Sequence, residues 1–133
     1  MVRQVIVFDA ADLDAESSFW AEIFGGRVIA EDDWHSVLDA DGEWRIGVQL
    51  APSHVPPEWP HGVSQQLHLD LHVDDPRIAH DEALRLGARL AQPATDLDAP
   101  EGYQVYLDPA GHPFCIGWGH PTRSDLTALI ADR

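Results

Sequence analysis

The sequence has little cysteine, little positive charge and no long apolar run. Cys115 is the only cysteine. A single cysteine excludes an intrachain disulfide and makes a reducing cytoplasm the expected home. Eight lysines and arginines stand against 23 aspartates and glutamates, for a net charge of −15. That surface repels a phosphate backbone, so no nucleic-acid partner is expected. It also keeps a protein dispersed. No stretch approaches the ~20 apolar residues of a membrane span, so no membrane partner is expected either. The opening "MVRQVIVFDAADLD" has too short an apolar run, with acids directly after it, to read as a secretory signal.

What is present is a pattern that occurs twice. The 133 residues, 44% of them hydrophobic, suit one domain or two small halves sharing a core. One half reads "VIVFDAADLDAESSFWAEIFGGRV" and the other "LHLDLHVDDPRIAHDEALRLGARL". Asp12 and Gly25 recur as Asp74 and Gly87 at the same separation. Each half gives a short strand, an acidic turn, a helix, a glycine stop and further strands.

The first helix is expected to start near Asp12 to Asp14, where carboxylates cap free N–H groups. Its apolar stripe reads Ala15, Phe19 and Ile23, widened by Trp20 and Phe24. Gly25 stops it. The second starts at "DDP", with Pro76 in its first turn. Its stripe is Ile78, Ala79, Ala83 and Leu86, and Gly87 stops it. Strand-like runs follow each helix, with "DADG" and "DPAG" as hairpin turns. The proline-rich "APSHVPPEWPHGVSQ" reads as a linker. Each half is therefore β-α-β-β-β: module 1 at about 1–51, linker 52–64, module 2 at about 65–119. The tail 121–133 reads as a short helix.

Module 2 opens on "QLHLDLHV", residues 66–73, which alternates strictly. Side chains of a strand alternate between faces, so Leu67, Leu69, Leu71 and Val73 share one face and His68, Asp70 and His72 the other. Trp20 and Trp118 read as core; Trp34, Trp44 and Trp59 have no evident core position. An aromatic platform beside a carboxylate suits a flat or cationic ligand. The remaining histidines, including His35 and His112, read as surface residues.

The paired modules, with "FDAADLDAESSFWAEIFGG", "HLDLHVDDPRIAHDEALRLGA" and "VYLDPAGHPFCIG", resemble the vicinal oxygen chelate superfamily of glyoxalases, bleomycin-resistance proteins and extradiol dioxygenases. Within it, "PPEWPHG" followed by "QLHLDL" resembles a glyoxalase-like branch. The resemblance covers nearly all of residues 2–119. It implies an α+β fold over residues 1–120, in which two βαβββ modules form a curved mixed-sheet cup, and it implies a homodimer. It turns the polar parity of His68, Asp70 and His72 into the cup.

Metal-dependent members carry one ligand on the first and last strand of each module. The resemblance places these at Val5 or Ile6, Gln49, His68 and Cys115. An aliphatic side chain binds no metal, and glutamine is a weak neutral donor. No metal or other cofactor is therefore expected. A divalent ion is the lesser alternative, on His68, Gln49 and Cys115. Glyoxalase I activity also needs a carboxylate-type base at the second or fourth position, which neither Gln49 nor Cys115 supplies. The expected function is binding of a small organic molecule, aromatic or cationic, by His68, Asp70, His72, Gln49, Cys115, Trp34 and Trp59. Arg45 shares the parity of Gln49 and would favour an anion if it entered the cup. The alternatives are a divergent metal-dependent lyase, isomerase or dioxygenase-like enzyme, and a non-catalytic interaction module whose cup is filled by its own side chains.

Overall fold

The computed structural model describes residues 1–119; the tail helix expected over 121–133 lies outside them. The first module runs β1 (Ile6–Ala10), α1 (Leu13–Ile23), β2 (Arg27–Ala30), β3 (Trp34–Leu38) and β4 (Trp44–Leu50). The second runs β5 (Leu69–His72), α2 (Pro76–Arg85), β6 (Arg89–Gln92), β7 (Gly102–Leu107) and β8 (Pro113–Trp118). The β-α-β-β-β reading holds in both halves, and no helix or strand interrupts the linker.

Each module makes its own four-stranded mixed sheet, in the orders β1-β4-β3-β2 and β5-β8-β7-β6. The first strand pairs parallel to the last, and the other pairs are antiparallel. Helix starts obey the local rules. Asp12 accepts from the backbone N–H of Ala15, and Asp75 from those of Arg77 and Ile78. Gly25 (φ 66°) and Gly87 (φ 108°) turn the chain out through the left-handed region.

The helix stripes differ from the sequence reading at two points. Ala15 is exposed and Glu16 is fully buried in its place. Ile78 is 69% exposed, while Ala83 is buried. The physical reason at Glu16 is a set of polar partners from the second module, which no helical periodicity can show. One core, built on Trp20, Phe19, Ile46, Tyr106 and Phe114, runs through both modules. The Trp20 ring meets Phe114 edge-on at 5.1 Å and Phe8 at 5.5 Å.

The two hairpin turns repeat one design. Gly42 donates to the Asp39 carbonyl and Gly111 to that of Asp108. Asp39 Oδ1 accepts from Asp41 and Glu43, and Asp108 Oδ1 from Ala110 and His112. Beyond that the turns diverge. Asp39, its side chain 10% exposed, holds the more open Arg45 at 2.7 Å, while Asp108 is buried and holds Trp20 at 3.0 Å.

Candidate functional site

Register builds the site. Pairing β5 with β8 sets Asp70 against Cys115 and His72 against Gly117. Pairing β7 with β8 sets Val105 against Cys115 and Tyr103 against Gly117. One sheet face therefore carries His68, Asp70, His72, Tyr103, Val105, Cys115 and Gly117. The opposite parity, Leu69, Leu71 and Val73, packs against the core. Only Leu69–His72 of the eight-residue alternation is regular strand, and Leu67 is 77% exposed.

Trp59 of the linker closes this face into a cavity of about 290 Å³. Its indole N–H is buried and has no acceptor among the described residues. A buried donor without a partner is costly. On the cavity floor, one ligand-capable atom each of His68, Asp70 and Cys115 lie within 4.8 Å of one another. His68 Nε2 is 3.2 Å from Asp70 Oδ1. Cys115 is half-buried. Burial first, then the charge and hydrogen bond of Asp70, push its thiol up to about 11. At neutral pH it is a thiol, so it is not an activated nucleophile.

Aligning the helix starts Leu13 and Pro76 shows how the modules differ. Val7 then corresponds to Asp70, Gly47 to Cys115, Trp34 to Tyr103 and Gln49 to Gly117, each pair holding the same register position. In sheet 1 the Trp34 indole lies over Gly47, where a side chain would collide with it. Its N–H donates to Ser36 at 3.0 Å, and its ring meets Trp44 edge-on at 6.4 Å. This face is floored by tryptophan where sheet 2 has a polar cluster beneath an open cavity.

The expected site residues therefore divide. His68, Asp70, His72, Cys115 and Trp59 line one cavity. Gln49 is exposed in the other sheet, beside Asp9 and Trp34. Arg45 is held by Asp39 at the hairpin turn, which takes away the anion-binding role its parity suggested. Tyr103 and Val105 belong to the cavity and were missed; their parity with Cys115 emerges only from the register of β7. His35 is buried rather than exposed, with Nδ1 2.8 Å from Ser17 Oγ under α1.

A second cavity of about 320 Å³ lies between β1 and the linker. His68 borders it, as do Val7, Val55, Val63, His54 and His112. The rings of His54 and His112 lie 4.9 Å apart, and each Nε2 sits within hydrogen-bonding distance of a backbone carbonyl.

Comparison with known proteins agrees with this architecture. A family model described as glyoxalase-like domain matches residues 5–117. No curated protein matches the chain. Among solved structures, the fosfomycin resistance protein FosX from Listeria monocytogenes superposes with a TM-score of 0.67 at 16% identity, covering 94% of this chain and 97% of that one. A form of it complexed with Mn(II) and sulfate gives a TM-score of 0.62 at 18% identity, covering 96% of each chain. A glyoxalase/bleomycin resistance protein/dioxygenase family enzyme from Burkholderia phytofirmans PsJN gives 0.62 at 19%, covering 87% of this chain and 97% of that one. At these identities the likeness shows the fold alone. No helix among the described residues is long and apolar enough to cross a membrane.

Proposed function

The chain belongs to the glyoxalase-like domain family, and on that footing we propose that it binds a small, planar, neutral or cationic organic molecule in the cavity of module 2. The observation that carries this reading is the pairing of aromatic walls, Trp59 and Tyr103, with the Asp70 carboxylate on the floor. Rings supply stacking area, and a carboxylate beside them favours a cation. An interaction module would have this space filled by its own side chains, as Trp34 fills the matching place in module 1. Binding of this kind needs no metal.

The active form is proposed as a cytoplasmic homodimer. β1 and β5 are each the edge of their own sheet, and β1 shows Val7 at 45% exposure. Edge strands with apolar side chains favour pairing with another chain.

Native mass spectrometry of gently isolated protein tests this reading. It is expected to show a copurifying organic mass that is lost in Trp59→Ala and Asp70→Asn. A ligand that stays bound in both variants would place the site elsewhere.

A further inference from the structure

On β3 the strand alternation that turns Trp34 and Ser36 to one face turns His35 and Val37 to the face that α1 covers. There the start of α1, the β2–β3 turn and the end of β4 border an open groove of about 580 Å³. Asp12, Asp14, Glu31 and Asp32 line it, together with His35 and Leu50. All four acidic residues are exposed. Among the described residues no arginine makes an ion pair with any of them, and the chain has no lysine. The first turn of α1 supplies only about half a positive charge, so the groove stays strongly negative.

Exposed carboxylates are ordinarily just solvated; His35 sets this group apart. It is 5% exposed, and its Nδ1 lies 2.8 Å from Ser17 Oγ. That bond fixes the ring and turns Nε2 toward the groove. Nε2 has no hydrogen bond: Asp14 Oδ1 is 3.9 Å away, beyond bonding reach. Nor is it sealed. Trp59 Nε1 and Gln65 Oε1 are the two side-chain atoms among the described residues that lack both a partner and access. In the tautomer that donates Nδ1–H to Ser17, Nε2 presents a lone pair to the groove. We propose that this groove binds a small aliphatic amine as its ammonium ion, with His35 Nε2 and Asp14 as the anchoring acceptors. The spread of the donors selects that class over a metal ion. Among the described residues, the set of three ligand-capable groups within 4.8 Å of one another lies in module 2, so a compact ion finds no cage here. An ammonium group carries three N–H donors and meets the imidazole and a carboxylate together. A second ammonium on a short chain meets the acids of the β2–β3 turn, and its methylenes rest on Leu50, which is 36% exposed. The site lies on the helix side of sheet 1 and does not depend on the organic-ligand reading of module 2.

The test is a titration of the isotope-labelled full chain with putrescine, a linear diammonium, at constant ionic strength. Backbone amide signals and the His35 ring nitrogens are followed by NMR. The expected result is a saturating shift confined to residues 11–14 and 31–35, with Nε2 of His35 moving more than Nδ1. Asp14→Asn and Glu31→Gln are the variants of choice, because both side chains are exposed and their loss opens no hole in the core. Each is expected to weaken binding by about threefold, as loss of an exposed charge pair does. Asp41→Asn, an exposed acid on the other hairpin turn, leaves the affinity unchanged, and the uncharged analogue butanediol gives no shift. A linear response spread over all the acidic surface would mean counter-ion screening only and would overturn the proposal. So would an equal response to butanediol, or affinity unchanged in both Asp14→Asn and Glu31→Gln. Asp70→Asn is run alongside. Unchanged affinity there keeps this groove separate from the module 2 cavity; loss of binding would put the amine in that cavity and sink the groove alone.

Discussion

The indole N–H of Trp20 lies 3.0 Å from Glu16 Oε1 and 3.0 Å from Asp108 Oδ2, and so ties the first module's helix to the second module's hairpin turn. Ala110 N adds a bond of 2.9 Å to Glu16 Oε2. Four polar groups thus meet inside an apolar core, with Glu16 and Asp108 essentially inaccessible. Buried polar groups are tolerated when paired and expensive when one partner is removed. Trp20→Phe keeps most of the ring but leaves both carboxyl groups short of a donor. It is expected to destabilise the fold by about 1–3 kcal/mol, read from urea unfolding.

The same cluster sets a pH dependence. Burial, then the hydrogen bond and charge of Asp108, raise Glu16 from 4.5 to about 10. The folded state therefore holds a proton that the unfolded chain releases near 4.5. The stabilisation from Glu16 is full below that value and drains away as pH rises toward 10. Gln at this position donates an N–H to Asp108 without needing the proton. Glu16→Gln is expected to match the parent near about pH 5 and to be the more stable protein near about pH 9. Denaturant midpoints at the two pH values check this; equal pH slopes in the two proteins would contradict it.

On β5 the two faces should respond differently. Leu71 is half-buried against the core and His72 lies on the cavity side. Leu71→Ala is expected to cost about 2 kcal/mol, the low end for a core leucine. His72→Ala is expected to cost less than Leu71→Ala, because its side chain lies on the exposed cavity face and its removal leaves no hole in the core. A larger loss for the histidine would reverse the assigned facing.

In sheet 1, a methyl group at Gly47 must displace the Trp34 indole. Gly47→Ala is expected to cost about 1–3 kcal/mol, as overpacking does. It should also shift tryptophan fluorescence to the red as the ring leaves its place. Unchanged emission would mean that Trp34 does not cover this glycine in solution.

Much of this was legible in the sequence because it is local. Asp12 and Pro76 announce helix starts, Gly25 and Gly87 announce stops, and alternation assigns both faces of β5. What stayed hidden depends on distant partners. Glu16 looks like a surface residue until Asp108 and Ala110 arrive from the far end of the chain. Arg45 looks cup-facing by parity, but Asp39 at the adjacent turn captures it. Gln49 and Cys115 both sit on last strands, yet register makes Gly47, not Gln49, the counterpart of Cys115. Tyr103 could be placed on the cavity wall only once β7 had a register. His35 became core because α1 covers it, with Ser17 as its partner.

The central claim is that the module 2 cavity is a ligand site with a preference for neutral or cationic planar molecules. A thermal-shift panel of matched cationic, neutral and anionic aromatics, run on stripped protein, tests it most directly. A ligand at 100 times its Kd should stabilise the fold by about 2.7 kcal/mol, a readable rise in Tm. The account predicts shifts for cationic and neutral members. Tyr103→Ala should weaken both, Asp70→Asn should weaken the cationic ones most, and Arg45→Ala should change neither. Shifts confined to anions and abolished by Arg45→Ala would contradict it.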